Sequence, residues 1–518
     1  MNFRRLLNSL ACSILCVTPL SAQDRPNVLM IVVDDLKPTL GCYGDQTAQT
    51  PHLDALAARG IRFTRAYANQ AVCGPSRCST FTGLRPDRTK VHDLKTDFLE
   101  VSPWVKSLPE LFKDDAYFTA GTGKLFHGGK SDSIMESRAF DKIVHEGHLP
   151  YHPDHPKPVL GYQSPKAQQA RAELPANQQD KWGKLKQALK QSGAGVSTEA
   201  LDLPDDAYPD GAIAKQGIEF MNQAKQSGKP FFISLGFKRP HLPFTAPKKY
   251  WDLYERDQLP VASLQDLPEG APKFAGQSWG ELRNYADIPA KGDLSPEKAK
   301  EIVHGYYAST SYVDAQIGKV LTELKKRGLE KNTIVVLWSD HGWHLGDHGL
   351  WCKHSNYEQA TRSVLMFAGP DIATNQESSA LTELIDVFAT TCELAKVEAP
   401  KNLDSKSLVK TLKDPSSQHR VYAQSQYPRW NGTMGYAFRS DTHRYVAWVK
   451  NPDPKNAPSS LPELVAEELY HLESDPAETT NLAASKDQPE ITKALDTFRT
   501  AADQFLKSQA ERIEAQPK

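Results

Sequence analysis

Asn27-Val28-Leu29-Met30-Ile31-Val32-Val33-Asp34-Asp35 is the stretch on which the reading of this chain turns. After Asn27, six apolar, mostly branched residues run without polar alternation, the pattern of a strand covered on both faces inside a parallel sheet. Open α/β sheets collect ligands at the C-terminal ends of their strands, where this run places two acids. Taken alone, Asp34-Asp35 also reads as a helix cap after a strand. Three later segments repeat the design. Ala116-Tyr117-Phe118-Thr119-Ala120 leads into Gly121-Thr122-Gly123-Lys124-Leu125-Phe126-His127. Lys229-Pro230-Phe231-Phe232-Ile233-Ser234-Leu235 leads into Gly236-Phe237-Lys238-Arg239-Pro240-His241, and Thr333–Trp338 leads into Ser339-Asp340-His341-Gly342. In a parallel sheet these ends share one edge, so Asp34, Asp35, Lys124, His127, His241, Asp340 and His341 are expected to meet in one crevice. Carboxylates gathered there repel one another unless a cation intervenes, and hard oxygen donors favour Ca²⁺ or Mg²⁺ over Zn²⁺.

The expected fold class is α/β: a large, mostly parallel sheet flanked by helices, with a smaller C-terminal α+β subdomain. A capped helix is expected from Thr50-Pro51, ending at Gly60. A long one is expected from Ser295-Pro296-Glu297 to Gly328, with its stripe Ile302, Tyr306, Val313, Ile317, Val320, Leu321 and Leu324 facing the core. The segments near 151–204 and 258–295 are rich in Pro, Gln and Lys, and read as insertion loops with one weak helix near 180–191. Residues 418–518 carry strand-like pieces and a final helix. The expected division is therefore 1–22 export signal, 23–417 catalytic domain and 418–518 C-terminal subdomain.

At 518 residues the chain is long enough for two folded units. Its 62 Lys+Arg against 63 Asp+Glu leave a formal charge of −1, so no global basic excess drives binding to nucleic acid or anionic membrane. Arg4-Arg5, an apolar run to Leu20 and Ser21-Ala22 read as a cleavable export signal, too short for a membrane span. The expected location is secreted or periplasmic. Of seven cysteines, Cys12 and Cys16 fall in that signal. The remaining Cys42, Cys73, Cys78, Cys352 and Cys392 show no CxxC spacing and allow two disulfides at most if Cys73 is modified. Asn431-Gly432-Thr433 is a glycosylation triplet.

Val72-Cys73-Gly74-Pro75-Ser76-Arg77, continuing to Thr82-Gly83, is the second informative stretch. Pro75 suits a first helical turn, which puts Cys73 at a helix N-terminus where unpaired N–H groups favour an anion such as a sulfate ester or phosphate. The bland reading is a buried thiol before an ordinary helix. The Cys-x-Pro-Ser-Arg…Thr-Gly pattern resembles the signature of the type I formylglycine-dependent sulfatases of the alkaline-phosphatase-like superfamily. The likeness extends through Val33–Pro38, Leu40–Gly44, Leu84–Asp87, Gly123–His127, Arg239–Phe244, Ser339–Trp343, Leu345–Gly349, Trp351–Asn356 and Glu468–Leu472, and is nearest to the iduronate-2-sulfatase branch.

What the resemblance implies can be stated residue by residue. Cys73 is oxidised to 3-oxoalanine (formylglycine) by a formylglycine-generating enzyme, and its hydrate is the nucleophile. Asp34, Asp35, Asp340, His341 and the modified Cys73 hold one Ca²⁺, His being an unusual ligand for so hard an ion. Arg77 and Lys124 hold the hydrate, His127 takes the proton that lets sulfate leave, and His241 and Lys353 grip the sulfate and protonate the leaving alcohol. Trp343 is a sugar-stacking platform or core, while His344, His348 and His354 are read as packed side chains. The branch implies a sulfated saccharide as substrate, such as a 2-O-sulfated uronic acid of a glycosaminoglycan or algal polysaccharide. Two other functions compete: a phosphomonoesterase or phosphonate-ester hydrolase on the same scaffold, and a catalytically dead secreted carbohydrate-binding protein.

Overall fold

The apolar run from Asn27 forms β1 (Asn27–Val33), all seven residues buried. Its side chains alternate between two cores: Val28, Met30 and Val32 enter one, Leu29, Ile31 and Val33 the other. With both faces dry, no position calls for a polar residue, hence the lack of alternation. The computed structural model describes residues 25–127, 130–429, 432–450, 458–485 and 487–516; the export signal at 1–22 and Asn431 of the glycosylation triplet lie outside the described residues.

Seven more strands complete the main sheet: β2 (Gly60–Phe63), β3 (Phe118–Gly123), β4 (Lys142–Val144), β5 (Phe231–Phe237), β6 (Thr333–Ser339), β7 (Leu365–Ala368) and β8 (Gln376–Ser378). Their order is β8-β2-β7-β6-β1-β5-β3-β4. β1 lies parallel to β5 and β6, and β3 parallel to β5 and β4, whereas β7 runs against both β6 and β2. The register sets Val33 beside Phe237 and Ser339, and Gly123 beside Gly236. The four central strands therefore end nearly level, and the residues that follow them leave from one edge.

Helices α1 (Cys73–Thr82), α2 (Pro209–Ser227), α3 (Pro296–Lys326) and α4 (Asp386–Ala395) cover the sheet. Phe81 of α1 and Phe388 of α4 pack on one face, and Ile213 and Phe220 of α2 with Val313 and Ile317 of α3 pack on the other. The long helix starts as its cap predicts: Ser295 Oγ accepts from Lys298 N at 3.2 Å, and Pro296 occupies the first turn. Gly328 follows it with φ +70°, a conformation that costs glycine little. The expected cap at Thr50 accepts from no backbone N–H of its helix, its hydroxyl donating instead to Asp54 Oδ1 at 3.3 Å, and Gly60 opens β2.

Beyond the main sheet, β9 (Ala423–Arg429), β10 (Thr433–Arg439), β11 (His443–Lys450) and β12 (Leu464–His471) form an antiparallel sheet in that order. Helix α5 (Pro489–Glu514) lays Leu495, Phe498 and Leu506 against Phe438 and Tyr445 on one face of it. The other face packs Val446, Trp448 and Tyr470 on Leu350 and Tyr357 of the main body. Fold class is thus the α/β sheet with a C-terminal α+β subdomain that the sequence led us to expect.

The two insertions are more structured than their composition suggests. Two helices, Pro165–Ala172 and Trp182–Ser192, bury Ala167, Ala170, Leu185 and Leu189 against each other. In the second insertion Leu259, Trp279, Leu282 and Ile288 are all buried, in a cluster shared with α3 and with the short hairpin formed by His344–Leu345 and Trp351–Cys352. No disulfide joins any of Cys42, Cys73, Cys78, Cys352 and Cys392. No helix among the described residues is long and apolar enough to cross a membrane.

Leu337, fully buried in β6 beside β1, tests this core. Leu337→Ala is expected to lower unfolding free energy by about 2–5 kcal/mol, read from the urea midpoint at unchanged slope.

Candidate active site

Asp34 and Asp35 leave β1, and Asp340 and His341 leave β6 beside it. Arg77 stands one helical turn after Cys73, so the two project from the same side of α1. Its guanidinium is fully buried and bridges the acids, with Nη2 2.8 Å from Asp34 Oδ1 and Nε 2.9 Å from Asp340 Oδ2. Nη1 donates to the carbonyls of Lys124 and Leu125. Burial disfavours the charge on Arg77, but Asp340 and Asp34 more than offset this and raise its pKa. Lys124 Nζ donates to Asp34 Oδ2 at 2.6 Å. Burial pushes the Asp34 carboxyl upward, yet Lys124 and Arg77 outweigh it and hold Asp34 well below the usual carboxylate range.

Asp35 faces the opposite side. Its φ of +61° is unusual for a residue with a Cβ, and two hydrogen bonds hold it. The Asp35 N–H donates to Asp340 Oδ1 at 3.0 Å, and Tyr306 OH donates to the Asp35 carbonyl at 2.7 Å. Tyr306 belongs to the α3 stripe, a face to which sequence reasoning gives no chemistry. Lys353 Nζ lies 2.9 and 3.0 Å from the two carboxylate oxygens of Asp35. Burial opposes its charge, but Asp35, Cys73, Glu281 and Asp34 together outweigh it and hold the Lys353 pKa well above the ordinary lysine value.

Cys73 Sγ sits among these groups, 3.5 Å from His341 Nε2 and 3.8 Å from Asp35 Oδ1. Burial first, and then Asp34, pushes the thiol well above its usual pKa. His341 Nδ1 faces the Gly342 carbonyl at 2.9 Å, so Nδ1 carries the hydrogen and the Nε2 lone pair points inward. That nitrogen is 3.3 Å from Asp35 Oδ1 and 3.6 Å from Asp340 Oδ2. One donor atom each from Asp35, Cys73, Asp340 and His341 lies within 4.8 Å of the others, as does a second set from Asp34, Asp35, Cys73 and His241. Such a set suits a divalent cation: each holds two carboxylates, three distinct ones between them, and the His341 Nδ1 contact to the Gly342 carbonyl leaves Nε2 facing the cluster.

His127 follows β3 and passes Gly74, the residue after Cys73, where a Cβ would meet His127 Cβ at 3.7 Å. Burial, with Lys124 adding to it, pulls the His127 pKa down to about 3, which keeps the imidazole neutral. His241 follows β5; its Nδ1 is 2.5 Å from the Leu242 carbonyl, and its Nε2 faces the site. Trp343, which reads as a sugar platform or as core, is 1% exposed, stacked near Tyr306 at 6.4 Å, with Lys353 Nζ 4.9 Å over its ring. Its place is under the lysine. His344 and His348 are packed away, bonded to Ser355 Oγ and the Ala477 carbonyl, while His354 reaches the site through a residue that sequence reasoning passed over.

That residue is Glu281, from the second insertion. One of its oxygens is 3.1 Å from His241 Nε2, the other is 3.3 Å from His354 Nε2, and Lys353 Nζ is 3.0 Å from both. Burial raises its pKa, but Lys353 and the two histidines outweigh this and hold Glu281 well below the usual range. Only the buried Trp279 and Leu282 on either side hinted that this segment docks anywhere.

An acidic cluster around a helix-borne cysteine, with lysines and histidines at its mouth, defines a hydrolase of anionic esters. The family model described as Sulfatase matches residues 26–397, and the C-terminal model of N-sulphoglucosamine sulphohydrolase matches 346–503. The chain belongs to the sulfatase family. Iduronate 2-sulfatase of Homo sapiens is 32% identical across 89% of this chain and 92% of its own length. A sulfatase of Formosa agariphila is 31% identical across 91% and 86%. Among solved structures, BT4656 in complex with D-glucosamine-2-N,6-O-disulfate superposes with TM-score 0.70 at 21% identity, covering 95% of this chain and all of that one, a likeness of fold. The protein is a sulfuric ester hydrolase.

Lys124 is placed by a close approach of β3 to β5: a Cβ on Gly236 would fall 2.1 Å from the Lys124 carbonyl oxygen. Gly236→Ala must displace Lys124 together with Arg77, which donates to that carbonyl. Sulfatase turnover is expected to fall on the order of 10²-fold, with a lower melting temperature.

Proposed function

We propose that this sulfatase removes sulfate from a sulfated carbohydrate, using a formylglycine made from Cys73 and one Ca²⁺ held by Asp34, Asp35, Asp340, His341 and residue 73. The first substrate to test is a 2-O-sulfated uronic acid of a glycosaminoglycan or algal polysaccharide, since two relatives at 32% identity are named iduronate 2-sulfatase. The observation that carries the reading is the convergence of three carboxylates and an inward-facing imidazole around Cys73 Sγ.

Charge counting supports the ion and the substrate together. Asp34, Asp35, Asp340 and Glu281 are four carboxylates; Arg77, Lys124 and Lys353 are the three obligate cations that touch them. One negative charge is left over. A divalent ion turns the excess to one positive charge, which a sulfate monoester neutralises.

When present, the aldehyde hydrate supplies the oxygen nucleophile, and the metal supplies a fixed double charge for the sulfuryl oxygens. The chain's own residues do the rest. Arg77 and Lys124 keep Asp34 ionised and in place, and Lys124 with Arg77 lines the side of residue 73. Lys353, seated on Trp343, grips the sulfate from the other side. His127 is neutral and so able to accept the proton whose removal lets sulfate depart. His241 turns Nε2 toward the leaving oxygen and gives it a proton, because a sugar alkoxide is a poor leaving group. Export through residues 1–22, and a boundary near 417/418 between catalytic and C-terminal parts, complete the proposal.

Mass spectrometry of the Cys73 peptide, from protein made alongside a formylglycine-generating enzyme, tests it. The aldehyde is expected in place of the thiol, and Cys73→Ala should lose on the order of 10⁴-fold or more in turnover of a defined sulfated disaccharide. A thiol in fully active enzyme would overturn the reading.

A further inference from the structure

The helix Trp182–Ser192 of the first insertion carries Lys184, Lys186 and Lys190 and no acid, and Lys181 immediately precedes it. All four lysines are exposed. Among the described residues none of them is paired with a carboxylate; the nearest acid in sequence, Asp180, pairs with Arg171 instead. The long helices mix their signs: α5 joins Arg499 to Asp496 and Lys507 to Asp503, and α3 joins Lys298 to Glu301 and, at its end, Glu323 to Arg327. A merely solvated helix face is built in that mixed way, because like charges one turn apart, as Lys186 and Lys190 are, repel. The same helix also carries Trp182, which is 64% exposed and the one aromatic among the exposed large hydrophobic side chains of the described residues. Lys186 Nζ lies 4.9 Å over its ring.

Helical spacing lines Trp182, Lys186 and Lys190 up on one stripe, roughly 6 Å apart along the axis. The apolar side of the helix is already occupied, since Leu185 and Leu189 pack on Ala167 and Ala170 of the neighbouring helix. No hydrophobic face is left to enter a bilayer, which an interfacial helix needs. An indole followed by a row of ammonium groups matches a chain of pyranose rings bearing sulfates: the ring lies against sugar C–H groups and the lysines meet the sulfates. The helix is also anchored to both segments that bear the mouth of the active site. Just after it ends, the Gly195 carbonyl accepts from Ala286 N at 2.8 Å, a few residues past Glu281, and the Ser197 carbonyl accepts from Phe244 N at 2.8 Å, a few residues past His241. Tyr285 packs on the cluster that the helix forms with its neighbour.

We propose that the stripe of Trp182, Lys186 and Lys190, flanked by Lys184, is a secondary binding surface for sulfated polysaccharide, holding the chain while one of its sugars occupies the active site. This rests on the sulfated-carbohydrate reading above and deepens it, because it makes a polymer the preferred form of the substrate. No bond forms or breaks at the helix; it acts by raising the effective concentration of the chain at the site. Two weak contacts on one chain bind more tightly than either alone, provided that the chain is long enough to span them. Salt weakens the lysine part of the contact, since exposed charges are screened, and leaves the indole part.

Binding and turnover of heparin-derived oligosaccharides of increasing length, on the full chain, test the proposal. The variant combining Trp182→Ala, Lys184→Gln, Lys186→Gln and Lys190→Gln is expected to bind an immobilised dodecasaccharide about tenfold more weakly and with a flatter salt dependence. Its turnover of a sulfated disaccharide should stay within about twofold of wild type, because so short a substrate cannot span both contacts. Lys186→Glu should lose more affinity than Lys186→Gln, a graded effect that unfolding does not produce. A chemically desulfated chain of the same length should bind wild type weakly and the variant no differently. An unchanged affinity for the dodecasaccharide, an equal loss on the desulfated chain, or a disaccharide loss as large as the long-chain loss would overturn the assignment. So would wild-type binding to phosphatidylcholine–phosphatidylserine vesicles that the variant loses, which would give the helix to a membrane surface. Binding is read without turnover, so the two readings fail separately. A wild type that cleaves no sulfated sugar fails the function proposed above, whereas an active wild type with an indifferent variant fails this inference alone.

Discussion

Three carboxylates are forced together at the end of two adjacent strands, and the rest of the molecule is arranged to tolerate it. Isolated, Asp34, Asp35 and Asp340 would each lose hydration on burial and repel the others. Arg77 spans two of them from a helix, Lys124 reaches the first from β3, and Lys353 reaches the second from the hairpin after β6. Arg77 and Lys353 are buried with their acids, so removing either strips a buried carboxylate of its partner with little water to replace it, a loss of several kcal/mol in comparable sites. These side chains therefore carry structure and chemistry at once.

The strand register explains why such distant residues can meet. β1 pairs with β5 and β6 so that Val33, Phe237 and Ser339 lie side by side, and whatever follows them must emerge together. Packing then fixes the finer geometry. Tyr306 reaches from α3 to the carbonyl of Asp35, and Trp343 stacks near that tyrosine and has Lys353 Nζ over its ring. The antiparallel C-terminal sheet is more than an appendage, since Tyr427 on its first strand touches His354 within the site.

Much of this was legible in the sequence because it is local. An unbroken apolar run followed by acids announces a buried strand with a functional end, and β1 and β6 both do so. Cys73 and Arg77 are a helical turn apart, a spacing visible in the letters. The parts that were not legible depend on contacts between distant stretches. Glu281 sits in a segment whose composition reads as loop, and its partners His241, Lys353 and His354 lie far along the chain on either side. A tyrosine in an amphipathic stripe reads as core, and Tyr306 is core, but its hydroxyl also satisfies a strained backbone. Trp343 reads equally as a sugar platform or as core, and its 1% exposure comes from neighbours far along the chain that its own spacing does not reveal.

The measurement that bears most directly on the central claim is calcium titration of chelator-treated protein, followed by calorimetry and by thermal melting. Converging acids that need a cation predict one Ca²⁺ bound per chain and a melting temperature that rises with free calcium, by the equivalent of about 2.7 kcal/mol at a hundredfold excess over Kd. Binding heat absent, with a melting temperature indifferent to Ca²⁺ and to Mg²⁺, would mean that Arg77, Lys124 and Lys353 neutralise the acids unaided, and would contradict the account.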